Sequence, residues 1–112
     1  MGDDAAKYPC PYLRGDVELP CERQRHIAER HPDLLPEHRQ CLVATIGDPD
    51  AVRRSARMPN ARLFTRWFGD LRGGKHVVVV VVSEPRPPRH WIATAYVARR
   101  LAEGGETEWL RS

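Results

Sequence analysis

The run of six consecutive valines, Val77 to Val82, constrains the fold of this 112-residue chain more than any other feature. Valine is β-branched and favours extended backbone. Successive side chains of a strand point to opposite faces of a sheet, so a strand that is apolar throughout has to be covered on both faces. The run is far shorter than the roughly 18 to 20 apolar residues of a membrane-spanning helix. It therefore predicts a central strand and no membrane anchor.

Three other segments are predicted to form strands around the valine run. Turn-forming residues separate them, including Pro59-Asn60 and Gly73-Gly74. Short connections between consecutive strands favour an antiparallel meander. The predicted strands cover residues 51–57, 61–68, 75–83 and 90–97. Simple alternation in the last strand predicts a core face and an opposite face. The core face would hold Trp91, Ala93, Ala95 and Val97, and the opposite face His90, Ile92, Thr94 and Tyr96.

Two helices are predicted before the strands. Pro20 suits the first turn of a helix, where its missing N–H costs nothing. Pro32 ends that helix, because the residue before a proline is pushed out of the helical region. The first helix is therefore expected over about residues 20–30. Apolar residues spaced by three and four positions predict a second helix from Leu34 to Ile46, which ends at the following glycine.

The length suits one folded domain. We expect a flexible lead-in at residues 1–15, an α+β domain at residues 16–98 and a tail at residues 99–112. The first residues lack the basic, apolar and small succession of a secretory signal, so a cytoplasmic location is expected.

The three cysteines are odd in number and irregularly spaced, which argues against a disulfide framework. They are Cys10, Cys21 and Cys41, and we expect them to be reduced. A zinc site could be drawn from Cys10, Cys21, His26 and His31. Their spacing lacks the close ligand pairs that structural zinc sites use, so we expect no metal.

Arginine dominates the basic residues, although the net charge is only +3. Its planar guanidinium suits phosphate groups and stacks on bases. A GC-rich genome would also enrich arginine everywhere. The composition therefore permits an RNA partner without requiring one.

The histidines of the first helix suit metal-free RNA cleavage. That reaction needs a base for the 2′-hydroxyl proton, an acid for the leaving 5′-oxygen and cations for the phosphate charge. Imidazole can fill either proton role near neutral pH. His26 and His31 are five residues apart and would diverge by about 140° in one continuous helix, so only the break before Pro32 could turn both to one site. Alternatively His26 takes one proton role, and Glu22 or Glu29 orients it or acts as the base.

Other residues would bind the phosphate. Arg30, Arg66 and Lys75 are candidate clamps, while Thr94 and Tyr96 would hydrogen-bond the phosphate or position the acid. Thr94 and Tyr96 also have a purely structural interpretation, since Thr and Tyr are good strand formers. A histidine at the end of a helix can likewise serve only to stabilise the helix dipole.

An ordered set of short motifs carries a family resemblance. They are Val17-Glu18-Leu19, Glu22-Arg23, His26-Ile27, Arg30-His31-Pro32, Ile46, Pro49-Asp50, the valine run and Thr94-Ala95-Tyr96. Over about residues 16 to 98, this set resembles the phage-encoded barnase-EndoU-colicin-RelE-like nuclease (PBECR) domains. The resemblance implies an α+β fold in which two N-terminal helices pack on a four-stranded antiparallel β-sheet. It also implies a small ribonuclease of toxin or phage-associated type.

The expected function is therefore that of a metal-independent endoribonuclease that cleaves RNA by 2′-OH transesterification and needs no cofactor. Its expected partners are RNA and an antitoxin or immunity protein, since unchecked RNA cleavage would harm the host. The alternative is a catalytically inactive, nuclease-like module that binds nucleic acid or protein, because fold does not fix function. His31-Pro32-Asp33 also occurs between two helices in J-domain cochaperones. The strand pattern contradicts that all-helical fold.

Overall fold

A single mixed sheet organises the fold in the computed structural model, which describes residues 5–112. Two helices and a short 3₁₀ turn at Pro11–Leu13 accompany it. The elements are β1 (Ala6–Cys10), β2 (Gly15–Leu19), α1 (Cys21–Arg30), α2 (Arg39–Gly47), β3 (Ala51–Arg54), β4 (Ala61–Phe68), β5 (Lys75–Pro85), β6 (Pro88–Ala98) and β7 (Thr107–Leu110).

The strand order in the sheet is β1-β2-β6-β5-β4-β3-β7. Strands β3 to β6 form the predicted antiparallel meander. The β1–β2 hairpin joins its β6 edge through one parallel bridge, Glu18 with Trp91, and β7 pairs antiparallel with β3 at the other edge. The α+β class and the two helices are confirmed. The predicted four-stranded antiparallel sheet is wrong, because the sheet has seven strands and is mixed.

The additional strands come largely from segments predicted to be a lead-in and a tail. β1 lies within residues 1–15 and contains Pro9, which an edge strand tolerates. β7 lies within residues 99–112 and is mostly exposed. Neither short segment has an apolar pattern of its own, so contacts with the rest of the chain decide its pairing.

The valine strand is central, as predicted, because β5 lies between β4 and β6. Val77, Val79 and Val81 belong to the core on the helix side, while Val78 and Val82 are buried on the other side. We call the side of the sheet opposite this helix-covered core the open face.

Both helices contribute to one core. Ile27 of α1 and Leu42 of α2 are fully buried against the sheet, together with Phe64 of β4. α1 packs on β6, and α2 packs on β1, β4 and β5. The second helix is shorter than predicted, because turns occupy residues 32–38.

A β-bulge changes which residues of β6 face the core. Val80 pairs with Thr94 but Val81 pairs with Ile92, so Ala93 is an extra residue without a partner on β5. Ile92 and Ala95 therefore share the core face. The predicted assignment of β6 side chains to the two faces is correct only for the residues that follow Ala93. For the residues before Ala93 the two faces are exchanged, so Trp91 lies on the open face with Thr94 and Tyr96.

The connection between β6 and β7, residues 99–106, crosses the open face. Val52 points into the core, so its neighbour Arg53 points to the open face. The Arg53 guanidinium donates to the carbonyl oxygens of Ala102 and Gly104. This connection therefore brings Arg99 and Arg100 onto the same side as Thr94 and Tyr96.

Within residues 5–112, no helix has the length and apolar character needed to cross a bilayer. The three cysteines are unpaired: Cys10 and Cys41 are buried and Cys21 is exposed.

Candidate functional site

The C-terminal end of α1 lies beside β6. The Arg23 Nη1 donates to the carbonyl oxygen of Ala93 at 3.3 Å, beside the bulge. His31 follows the last helical residue, and its backbone N–H donates to the Ile27 carbonyl oxygen at 2.6 Å. The ring centroids of His31 and Tyr96 are 5.9 Å apart. Two of the residues predicted from sequence are thus neighbours.

Strand register brings a second histidine to Tyr96. Tyr96 pairs with Val78, and His76 lies two residues before Val78 on the same face of β5. Diagonal neighbours of this kind are about 7 to 8 Å apart. The His76 ring also contacts Trp67, with centroids 4.9 Å apart. We call His31, Tyr96, His76 and Trp67 the aromatic row.

Thr94 lies on the same face as the row, two residues before Tyr96, and pairs with Val80. Sequence reasoning did not select His76 for the site. The feature that could have identified His76 is its spacing of two and four residues from Val78 and Val80, which places the three side chains on one face of β5. The strand register pairs Val78 with Tyr96 and Val80 with Thr94.

Glu22 and His26, the other candidate catalytic residues, lie elsewhere on α1. Glu22 is exposed near the start of the helix, where it lines a depression of about 500 Å³ together with Arg89 and Trp91. Glu22 and His31 are nine positions apart along the chain, which is about 13 Å along a helix axis. His26 is half-buried and forms no hydrogen bond or ring contact within the described part of the chain. The predicted catalytic set is therefore divided.

The predicted phosphate clamps are also divided. Arg30 is exposed in the last turn of α1, close in sequence to His31. Arg66 pairs with Val77 on the helix side of the sheet, and its Nη1 lies 3.2 Å from the Asp48 carboxylate. It does not join the aromatic row. Lys75 directly precedes His76, and its Nζ donates to the carbonyl oxygens of Arg72 at 2.7 Å and Gly74 at 3.2 Å.

Lys75 belongs to a depression of about 690 Å³ beside the aromatic row. We call it the basic depression, because three of its lining residues are cations and none is acidic. It is lined by Trp67, Gly73, Gly74, Lys75, Arg99 and Arg100. Trp67 belongs to both features and is 47 % exposed.

A polar network on the helix side holds β7 to the sheet. The Glu108 Oε1 accepts hydrogen bonds from Tyr12 Oη and Arg62 Nε, both at 2.8 Å, and Arg54 Nε lies 2.7 Å from its Oε2. Burial alone would raise the pKa of Glu108. Hydrogen bonds from Arg62 and Tyr12 and the charges of Arg62 and Arg54 outweigh it, so the pKa is lowered. Glu108 is thus a charged anchor.

His90 belongs to the edge of this network. Its Nδ1 lies 2.7 Å from Ser83 Oγ, which Arg62 Nη1 approaches at 3.4 Å. Burial, followed by the positive charge of Arg62, lowers the pKa of His90. The bulge separates His90 from Thr94 and Tyr96, with which it was predicted to share a face.

Thermal stability is expected to fall in two stages as the pH drops. The folded-state pKa of His90 lies below its ordinary value of 6.5, so the unfolded chain takes up a proton first and stability is lost below about pH 6.5. The pKa of Glu108 lies below its ordinary value of 4.5, which adds a second loss below about pH 4.5. Thermal unfolding across this range tests both stages. His90→Gln should remove only the first, and the matched variant His38→Gln should keep it. Persistence of the first stage in His90→Gln would contradict this assignment.

Comparisons with models of known protein families, with curated proteins and with solved structures found no match to this chain. Among residues 5–112, no group of three or more His, Cys, Asp or Glu side chains is arranged to hold a metal ion.

Proposed function

We propose that this protein is an endoribonuclease that cleaves RNA by 2′-OH transesterification at the aromatic row. The observation that carries the proposal is the contact between His31 and Tyr96, with centroids 5.9 Å apart. His76 and Thr94 lie on the same face of the sheet beside Tyr96. In this proposal, two imidazoles, a phenol and a hydroxyl act together around Tyr96. The PBECR resemblance of the sequence supports the same activity.

In the proposed reaction, one imidazole takes the proton of a ribose 2′-hydroxyl. The 2′-oxygen then forms a bond to phosphorus, and the bond from phosphorus to the 5′-oxygen breaks. The second imidazole gives its proton to that leaving oxygen. The product ends in a 2′,3′-cyclic phosphate, which water opens in a slower step with the proton roles reversed. Every transferred proton is carried by His31 or His76, so the scheme requires no metal.

Tyr96 and Thr94 would bind the phosphate between the two histidines. Hydroxyl donors aimed at the phosphate oxygens stabilise the charge that develops as the 2′-oxygen attacks. Lys75, next to His76, would add a positive charge at one end of the row. Arg30, near His31, would add one at the other.

The second candidate function is nucleic-acid binding without cleavage. Exposed Trp67 and the basic depression favour it, because stacking and phosphate contacts need no proton transfer. A cytoplasmic location, a toxin or phage context and an antitoxin or immunity partner stay predictions that follow from the activity class.

The test is incubation of the protein with end-labelled RNA in EDTA. We expect cleavage that leaves 2′,3′-cyclic phosphate ends, with a bell-shaped dependence of rate on pH. An oligonucleotide with one 2′-deoxynucleotide at the cleaved position should stay intact there, since it lacks the nucleophile. Binding of RNA without any cleavage would instead establish the binding module. Cleavage that persists at the 2′-deoxy position would rule out transesterification.

A further inference from the structure

Three of the cations that form no ion pair in the described part of the chain line one depression. Arg54, Arg62, Arg66, Arg89 and Arg111 all form ion pairs with carboxylates. Within residues 5–112, no ion pair involves the three cations that line the depression, Lys75, Arg99 and Arg100. Both arginines are exposed. Three unneutralised cations at one surface attract an anion, and Arg in particular suits phosphate geometry.

Trp67 gives the same depression a rigid aromatic wall. An added Cβ on Gly74 would come within 2.6 Å of the Trp67 ring, so the indole lies directly against the glycine backbone. The His76 ring meets it at an interplanar angle of 67°. The indole is therefore held in place while it remains 47 % exposed. A fixed and exposed aromatic ring is a stacking platform for a nucleic-acid base.

We propose that the basic depression binds one unpaired nucleotide of an RNA strand whose neighbouring phosphate lies on the aromatic row. Its base stacks on Trp67, and Lys75, Arg99 and Arg100 bind its phosphate. A base inside a duplex has its faces covered by its neighbours, so this site selects single-stranded RNA or an unpaired loop. The inference rests on the proposed ribonuclease function and names the class of substrate for it.

The connection between the two features is short. His76 contacts Trp67 directly and is a diagonal neighbour of Tyr96. An RNA strand that leaves the depression therefore passes over His76 and then reaches Tyr96. Lys75, the residue before His76, lines the depression. The depression thus positions the strand, while the aromatic row acts on it.

The test measures binding apart from cleavage. A fluorescently labelled 2′-O-methyl RNA oligonucleotide cannot be cleaved by this route, because its 2′-oxygen carries no proton. Its dissociation constant is measured by anisotropy as a single strand and as a duplex of the same sequence. We expect tighter binding of the single strand. Trp67→Ala should weaken that binding about tenfold, within the range for loss of one base–aromatic stack.

Trp109→Ala is the matched control, since Trp109 is 38 % exposed and lies at the far edge of the sheet on β7. It should leave the dissociation constant unchanged. Trp67→Phe should retain most of the affinity, which separates loss of stacking from loss of folding. Arg99→Gln with Arg100→Gln should flatten the dependence of affinity on salt.

Equal binding of single strand and duplex, or equal effects of Trp67→Ala and Trp109→Ala, would overturn the inference. The two proposals fail separately. Trp67-dependent binding by a protein that cleaves no RNA would refute the ribonuclease and leave the nucleotide site standing. His31-dependent cleavage with binding insensitive to Trp67 would refute the nucleotide site alone.

Discussion

His31→Ala is expected to slow RNA cleavage in EDTA by about 10² to 10⁴-fold, the range for loss of one positioned proton-transfer group. The His31 side chain lies in an irregular segment after α1 and is only half-buried, so its removal should leave the fold intact. The measurement is the single-turnover rate on a labelled oligonucleotide. Thermal unfolding of each variant provides the check on folding. His76→Ala should show a loss of similar size if it supplies the second proton group.

His38→Ala is the control for His31→Ala. His38 precedes α2 and lines a different depression, whose lining includes Cys41, Asp70 and also Trp67. Its removal should leave the cleavage rate within about twofold of wild type, because among residues 5–112 its side chain forms no hydrogen bond or ring contact with His31, His76 or Tyr96. His26→Ala separates the sequence-based assignment from the structure-based one. If His26→Ala abolished cleavage while His31→Ala did not, the aromatic row would not be the catalytic centre.

Glu108→Gln is expected to lower the free energy of unfolding by about 2 kcal/mol. Breaking a buried ion pair typically costs about 3 to 5 kcal/mol, because the remaining charge stays buried without a partner. The Glu108 side chain is 13 % exposed, but Arg54 is 51 % exposed and can be solvated after the change, so the smaller loss applies. Chemical denaturation with an unchanged slope would report this difference directly.

Glu106→Gln provides the matched comparison, since Glu106 is exposed and lies two residues from Glu108 in the same part of the chain. Its carbonyl oxygen accepts a hydrogen bond from the backbone N–H of Arg54, which the substitution leaves in place, and among residues 5–112 its side chain forms no ion pair. Its substitution should change stability by less than about 0.5 kcal/mol. Equal stability of the two variants would mean that the Glu108 network does not anchor β7.

The central meander was predictable from sequence because its signals are local. Six valines and the flanking turn residues define β5, and β4 spans residues 61–68 as the spacing indicated. The edges of the sheet were not predictable. β7 pairs with β3, more than 50 residues earlier in the chain, and no pattern within Thr107–Leu110 encodes that partner. Propensity describes a short exposed segment poorly, because its neighbours determine its conformation.

The same division applies to the candidate site. His31, Thr94 and Tyr96 could be proposed from sequence, and the structure places them at the junction of α1 and β6. His76 and Trp67 join them through strand register. Arg99 and Arg100 reach the basic depression because the connection to β7 crosses the open face. The positions of these four residues depend on the topology of the whole sheet. The alternation of side chains within one strand does not predict that topology.

The bulge at Ala93 has a consequence for aligning this chain with other sequences. A bulge shifts every later residue of its strand by one position relative to the partner strand. A related chain without the bulge would match β6 only if the alignment opened a one-residue gap at Ala93. An ungapped alignment anchored on Trp91 and Ile92 would set Thr94 of the site against the residue equivalent to Ala95 of the core. Searches for relatives should therefore allow an insertion at this position before they score the Thr94-Ala95-Tyr96 motif.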